Sequence, residues 1–471
     1  MKIAVLNGSP KGDYSVTLQT VLFWQKKFPE IEFEILNVGA KIKALEKDFS
    51  EAAKVLQSAD AFLFSYPVYT FIAPCQLHRF FELWKENGIE VKGKFATQLS
   101  TSMHFYDVTA HRYVMENCQD LGLKYVKGLS ANMDDLTKES GQKEAEQFFR
   151  YFLWCVQQDK YERVPVAADL KPLVATTVPV KNSVGEKFEC TDAENRNGDV
   201  AFNICSKKVV IVTDCEPENK ALNDMISRFC KVFKGLTEVV NIREYPLKGG
   251  CISCFNCATD GKCIYKDGFD EYLRNNIQTG DAIVYAFTIK DHSMGARFKM
   301  YDDRQFCNGH RTVTMGMPFG YLVNGHYSRE ENLRMIIEGR AEVGHNFLAG
   351  VATNEYNPDR EIDELAATLE YALEHSYVQP QNFLGVGGMK IFRDLIYMMR
   401  GMMRADHKFY KKHKQYDFPQ KKKGTIMGMY LVGMILSNKK IKTKMGNKMN
   451  EGMLMPYKKV LDKLEKEEGK K

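Results

Sequence analysis

The feature that most narrows what this chain can fold into is a repeat. Residues 2–6 read KIAVL and residues 208–212 read KVVIV, an offset of 206. Asp60-Ala61 and Asp281-Ala282 each open an apolar run, at an offset of 221. Leu77-His78-Arg79-Phe80 and Phe298-Lys299-Met300-Tyr301 stand at the same 221. The offset grows by 15 between the first two anchors, and four cysteines at 251–263 fall inside that interval. One α/β unit written twice, with a loop inserted in the second copy, accounts for all three anchors.

Each copy alternates short apolar runs with segments of helical spacing. Strands are expected over 2–6, 33–38, 61–65, 95–99 and 124–129, and helices over 15–27, 51–57, 76–86, 108–121 and 144–157. The second copy is expected to end with a strand over 312–317, a helix over 328–338, a strand over 346–352 and a helix over 362–375. Strands alternating with helices predict a parallel sheet covered on both faces. Five strands suit the doubly wound, flavodoxin-like order. The expected fold class is thus α/β, with two tandem flavodoxin-like domains, 1–160 and 207–377. A connector over 161–206 holds Pro165, Pro172 and Pro179, and a basic, Met-rich helical extension covers 378–471.

Charge separates that extension from the body. From residue 390 to the end there are 22 basic and 8 acidic residues, a net of +14, so the first 389 carry −8 of the total of +6. Basic runs at 411–414, 421–423 and 439–444 bracket an apolar stretch at 425–436. Such a segment suits an anionic membrane surface or an acidic redox partner. The longest nearly apolar stretch, 424–436, is too short to span a bilayer, and the apolar run at 3–6 is too short for a secretory signal. A cytoplasmic chain, peripheral to the membrane at most, is the expectation. Twelve cysteines in such a chain argue against a disulfide framework. No aromatic-interleaved or groove-reading motif points to nucleic acid. The sequence leaves a homo-oligomer open.

Three loops carry the first chemistry. Asn7-Gly8-Ser9-Pro10-Lys11-Gly12, with Ser15-Val16-Thr17 behind it, follows the first strand and opens the first helix. A helix N-terminus offers unpaired N–H groups and partial positive charge to a phosphate. Ser9, Ser15 and Thr17 add hydroxyls, and Lys11 adds charge. The pattern is neither a Walker loop nor GxGxxG. Tyr66-Pro67-Val68-Tyr69 ends the third strand, and Ser100-Thr101-Ser102-Met103-His104 follows the fourth. Loops at the carboxyl ends of strands around a switch point face one crevice. Pro67, Val68 and Tyr69 can lie beside a flat ligand, while Ser100, Thr101, Ser102 and Met103 can meet its polar edge.

With Pro74, Leu77, Asp107, Ala110 and His111, these loops resemble the NADPH-dependent FMN reductase family over about residues 1–155. That family is flavodoxin-like. The resemblance implies FMN phosphate at Ser9, Lys11, Ser15 and Thr17. It implies isoalloxazine contacts at Pro67, Val68, Tyr69, Ser100, Thr101, Ser102 and Met103, and NAD(P)H as electron donor. The cofactor carries such chemistry, so no side chain is singled out as catalytic.

The second motif is Cys251-x2-Cys254-x2-Cys257-x5-Cys263. Three thiolates converge from one glycine-led turn, and a fourth returns past Gly261. A [4Fe–4S] cubane takes four thiolates. Zinc takes four cysteines too, usually as two separated pairs, so the cubane is favoured and zinc stays open. The spacing, between the second strand and second helix of a flavodoxin-like unit, resembles the iron–sulfur flavoprotein family, which carries one cubane and FMN. The second copy departs from the flavin loops. Asp214-Cys215-Glu216-Pro217 stands where Gly8-Ser9-Pro10 stood, and two carboxylates repel a phosphate. Thr288-Ile289-Lys290 stands for Pro67-Val68-Tyr69. In that family one subunit's cluster serves a neighbour's FMN. The resemblance therefore implies that the copies share out the two half-functions as an internal pseudo-dimer. The other cysteines lack ligand spacing and read as buried small hydrophobes.

The expected function is an NAD(P)H-dependent FMN oxidoreductase whose [4Fe–4S] cluster passes electrons to an acceptor the sequence does not name. The alternative is a non-catalytic electron carrier or membrane-docked redox adaptor.

Overall fold

The computed structural model describes residues 1–162, 171–179, 204–379, 381–438 and 440–441. The chain divides into two compact units, Met1–Tyr410 and Lys411–Lys471. Two parallel sheets lie in the first.

The first sheet is laid down as β1 (Lys2–Asn7), α1 (Val16–Lys27), β2 (Glu32–Leu36), α2 (Ile42–Leu45), α3 (Ser50–Ser58), β3 (Ala61–Pro67), α4 (Cys75–Glu86), β4 (Phe95–Ser102), α5 (Asp107–Asp120), β5 (Lys124–Tyr125), β6 (Leu129–Asn132) and α6 (Glu139–Gln157). Its order is β2-β1-β3-β4-β5, with β6 also on β4. This is the flavodoxin-like order, with its switch point between β1 and β3. Successive residues of β3 bury on opposite faces, Phe62 and Phe64 under one helical layer and Leu63 under the other. The expected fifth strand is broken into two pieces. Between them Gly128 presses on β4, where a Cβ would fall 2.3 Å from Gln98 Cγ.

The second sheet follows as β7 (Lys208–Thr213), α7 (Lys220–Val232), β8 (Leu236–Asn241), α8 (Asn256–Asp260), α9 (Phe269–Tyr272), β9 (Ala282–Thr288), α10 (Gly295–Arg304), β10 (Phe319–Asn324), α11 (Glu331–Gly344), β11 (Leu348–Thr353) and α12 (Pro358–Glu374). Its order, β11-β10-β9-β7-β8, is the first sheet's order read from the other edge. The strand expected over 312–317 is a correction. Those residues form successive turns, Met315 N donating to Thr312 O and Met317 N to Thr314 O, and the strand begins at Phe319.

The repeat reaches individual hydrogen bonds. Asp60 accepts from Lys2 N at 2.7 Å, and Asp281 from Lys208 N at 2.9 Å. After the third strand of each copy the chain makes the same left-handed turn. It passes through Thr70 (φ 41°) and Phe71 (φ 70°) in one, and through Asp291 (φ 49°) and His292 (φ 60°) in the other.

The two copies pack through equivalent helices, α4 on α10 and α5 on α11. Cys75 N donates to Asp303 Oδ2 at 2.8 Å, and Ala296 N donates to Glu82 Oε1 at 2.8 Å. Lys299 Nζ donates to Thr70 Oγ1 at 2.6 Å, and His78 Nδ1 meets Asp291 Oδ2 at 2.7 Å. A shift of 221 turns each contact into its counterpart. Such exchanged pairs define an isologous, two-fold interface, here within one chain.

Residues 171–179 of the connector run along the second domain, Val174 N donating to Asn354 O at 2.7 Å and Thr177 N to Asp359 Oδ1 at 2.8 Å. Residues 163–170 and 180–203 of the connector, with Cys190, lie outside the described residues. Beyond α12, α13 (Phe383–Met398) packs on α11, and α14 (Arg404–Lys412) is anchored by the fully buried Asp406, which accepts from Arg311 Nη1 at 2.6 Å. In the second unit, α15 (Lys423–Leu436) buries none of its residues. The tail from residue 442 onward lies outside the described residues.

Candidate functional site

The phosphate-type loop forms because Asn7 folds it around its own side chain. Asn7 Nδ2 donates to Gly12 O at 3.0 Å and to Asn37 Oδ1 at 2.7 Å, and Asn7 Oδ1 accepts from Ser9 N at 3.2 Å. Ser9 Oγ accepts from Lys11 N at 3.3 Å, and Ser15 caps α1 by accepting from Leu18 N at 3.4 Å. Thr17 Oγ1 and Thr101 Oγ1 share a hydrogen bond of 2.6 Å, tying the start of α1 to the end of β4. Behind the loop, Gly39 approaches so closely that a Cβ would lie 2.4 Å from Gly8 O.

The expected residues converge. One cavity of about 440 Å³ is lined by Ser9, Lys11, Ser15, Thr17, Pro67, Val68, Tyr69, Thr101, Ser102 and Met103, and also by Cys251, Cys254, Cys257 and Cys263. Its volume is that of a small-molecule or cofactor site. Ser100 is not among the lining residues. It is fully buried, and its hydroxyl meets His111 Nε2 at 2.8 Å. Burial pushes the His111 imidazole down to about 4, so it supports Ser100 as a neutral ring.

The second domain closes this cavity over the first. Lys11 Nζ sits 5.9 Å from the Phe255 ring centroid, a cation–π contact between the phosphate-type loop and the cysteine loop. The Tyr69 hydroxyl is pushed up by burial and by Cys251 of the cysteine loop. Gly250 has no room for a side chain, because a Cβ would fall 2.2 Å from Cys75 Sγ of the first domain. Burial pushes the Cys251 thiol up and the Cys257 thiol to about 11. Without metal these sulfurs hold their protons, and Cys257 Sγ donates to Phe306 O at 2.9 Å. Metal binding reverses this by taking the thiolate form.

Four thiols facing one cavity offer the donor set that a thiolate-ligated metal group, a cubane or a zinc ion, takes. The flavin loops likewise fit their group: buried hydroxyls, a helix N-terminus and a lysine face one end of the cavity, and the Pro67–Tyr69 turn flanks it.

In the second copy's equivalent loops, side chains pair with one another and with the backbone. Arg243 pairs with Glu216 and donates from Nε to Asp214 O at 2.5 Å. Burial pushes the Asp214 carboxyl up to about 6. Asn219 Nδ2 and Asn324 Nδ2 both donate to Thr288 Oγ1, at 2.8 and 2.9 Å.

Sequence reasoning missed the walls supplied from far away. Cys307 lines the cavity, its thiol pushed up to about 12 by burial, with Cys263 and Cys257 near enough to add to the shift. Phe71, Phe105 and Phe392 line it as well, Phe105 and Phe392 lying 4.6 Å apart between ring centroids. No local spacing marks these residues. The 221-residue offset alone could have pointed to the turn at Phe71.

Comparison with known proteins bears on this arrangement. Residues 1–133 match the family model of the NADPH-dependent FMN reductases. This FMN reductase-like region contains all three loops built above. A curated iron–sulfur flavoprotein of Clostridioides difficile (strain 630) is 25% identical over 100 residues, 20% of this chain and 44% of that relative. The alignment thus spans less than half of the relative's length. Among solved structures, the apo form of an NADH:FMN oxidoreductase is 18% identical, with a TM-score of 0.28 over 32% of this chain and 87% of its own. An NAD(P)H:quinone oxidoreductase from Methanothermobacter marburgensis is 15% identical, with a TM-score of 0.27 over 35% of this chain and 99% of its own.

Proposed function

We propose that this chain is a cytoplasmic NAD(P)H-dependent FMN oxidoreductase that carries a [4Fe–4S] cluster in its second domain. The observation that supports it is that the flavin loops of one domain and the four cysteines of the other line a single cavity. Bound FMN would supply two-electron chemistry toward a nicotinamide nucleotide, and a cluster held by the four cysteines would supply one-electron chemistry toward an external acceptor. The residues supply position and cover. Ser9, Ser15, Thr17 and Lys11 would hold the phosphate. Pro67, Val68 and Tyr69 would flank the ring, with Thr101, Ser102 and Met103 at its edge. The Ser253–Phe255 segment would cover one side of the cavity, and Cys251, Cys254, Cys257 and Cys263 would ligate iron. An unmetallated thiol set of this kind persists in a reducing compartment.

The test is anaerobic preparation with FMN, iron and sulfide supplied, followed by cofactor analysis and steady-state oxidation of NADH and NADPH. One FMN and about four irons per chain with turnover are expected. A colourless protein ends this reading. A coloured protein that never oxidises either nucleotide supports the electron carrier instead.

Attachment to an anionic membrane surface is part of the same proposal, and α15 supports it. Met427, Tyr430 and Met434 are 65%, 72% and 65% exposed, and Lys421, Lys422, Lys423 and Lys440 flank the helix. A helix apolar on all sides needs covering. At about 1.5 Å per residue it is shorter than a bilayer core of about 30 Å, and no helix among the described residues can cross a membrane. The full chain is expected to co-sediment with vesicles containing phosphatidylglycerol and to lose that binding in Met427→Asp/Leu431→Asp. Equal recovery in the supernatant with and without vesicles would sink the idea.

A further inference from the structure

Helix α10 carries four consecutive or near-consecutive charged residues, Lys299, Asp302, Asp303 and Arg304, and none is more than 1% exposed. Ions are rarely buried, because desolvation costs more than most pairings return. A lysine buried this completely is held by specific partners, two on its own helix and two in the other domain. Lys299 Nζ donates to the Tyr69 carbonyl at 3.1 Å and to Thr70 Oγ1 at 2.6 Å, and pairs with Asp302 at 3.1 Å and Asp303 at 2.5 Å. Asp303 also accepts from Thr70 Oγ1 at 2.8 Å and from Cys75 N at 2.8 Å, so it grips both ends of the segment between β3 and α4. Asp302 is shared with Arg340, whose guanidinium reaches Thr70 O at 3.3 Å and lies 5.6 Å from the Phe71 ring centroid.

The held segment needs holding. Thr70 and Phe71 are successive non-glycine residues with positive φ, a strained conformation that persists where surroundings over-determine it. The same helix grips the cysteine loop at its other end. Arg304 Nη1 donates to Gly249 O at 3.0 Å, and the guanidinium pairs with Asp267 at 2.7 and 2.8 Å. Asp267 in turn accepts from Lys248 N at 3.1 Å.

We infer that Lys299 and Asp303 of the second domain are positioning residues of the first domain's flavin site, and that α10 fixes the 67–75 loop and the cysteine loop against one another. The first domain's crevice is incomplete without this helix. The inference rests on the flavin reading above and deepens it: the strained turn beside the ring is set by a buried ion pair 229 residues away in sequence.

The test uses the full chain prepared without air. Lys299→Met alone strands Asp303 and risks misfolding, so the informative variant is Lys299→Met/Asp303→Asn, which removes both charges together. FMN affinity is expected to fall at least tenfold and the flavin absorption bands to shift, while iron content stays that of the parent. Lys299→Arg, which keeps a cation and donors, is expected to recover most of the affinity. An FMN Kd within twofold of the parent in the double variant overturns the inference, as does loss of iron equal to loss of flavin, which would mark a merely structural role. Should the parent chain bind no FMN, the flavin reading fails separately. Amide hydrogen exchange over residues 67–75 then decides the clamp: faster exchange in the double variant supports it, and unchanged exchange overturns it.

Discussion

Replacing Cys257 with serine is expected to leave a folded chain that binds FMN and holds less than one iron, against about four in the parent. Cys257 is the third thiol of the loop and lies in the first turn of α8, with Arg311 donating from Nη1 to its carbonyl at 3.3 Å. Its backbone is therefore fixed by the second domain whatever its side chain. Serine keeps the hydrogen bond to Phe306 O but offers an alcohol in place of a thiolate, and the thiolate is the iron ligand. The flavin loops lie on β1, β3 and β4 of the other domain and should keep their cofactor. Cys307→Ser is the matched control. That thiol lines the same cavity without belonging to the spaced set, so iron should stay near four. Iron and flavin analysis on both variants decides the matter, and full iron in Cys257→Ser would refute the ligand assignment.

The second large effect is expected at the phosphate-type loop. Lys11 is exposed at the mouth of the cavity, so Lys11→Glu should fold unchanged. It exchanges a charge-assisted contact, worth about 1.5–3 kcal/mol, for repulsion, and the FMN Kd should rise at least about thirtyfold. Ser9→Asp goes further by importing the carboxylate that the second copy carries after its own first strand. A unit charge about 4 Å from a phosphate oxygen costs about 4 kcal/mol at an effective dielectric of 20, roughly a thousandfold in affinity. Fluorescence titration of apo-protein with FMN reads both variants. Parental affinity in either one would move the phosphate away from Ser9 and Lys11.

The sheet topology was legible because each strand is a short apolar run and each helix shows its own period, and because Asp60 and Asp281 open equivalent strands. The site was legible where chemistry is local: a loop behind a strand, or cysteines three apart. It was not legible where composition misled. Thr312-Val313-Thr314 is β-branched and reads as strand, yet these residues close turns through their own backbone and become cavity wall. Ser100 reads as a partner of its neighbours, but alternation along β4 turns it into the core beside His111. Nothing in the spacing of Lys299, Asp302 and Asp303 marks them as buried, because their partners Tyr69, Thr70 and Cys75 are more than 200 residues distant in sequence. Buried ion pairs across an interface leave no periodic trace.

The paired helices α4 and α10 have one more consequence. Two separate subunits meeting this way would part on dilution, and their assembly would depend on concentration. Joined in one polypeptide, the halves face each other at a fixed, high effective concentration. A symmetric pair would also own two equivalent chambers. Here the two chambers carry different loops, the first with Ser9 and Lys11 and the second with Asp214 and Glu216, whose carboxylates repel a phosphate, so saturation should come at a single equivalent of nucleotide per molecule, however thin the solution.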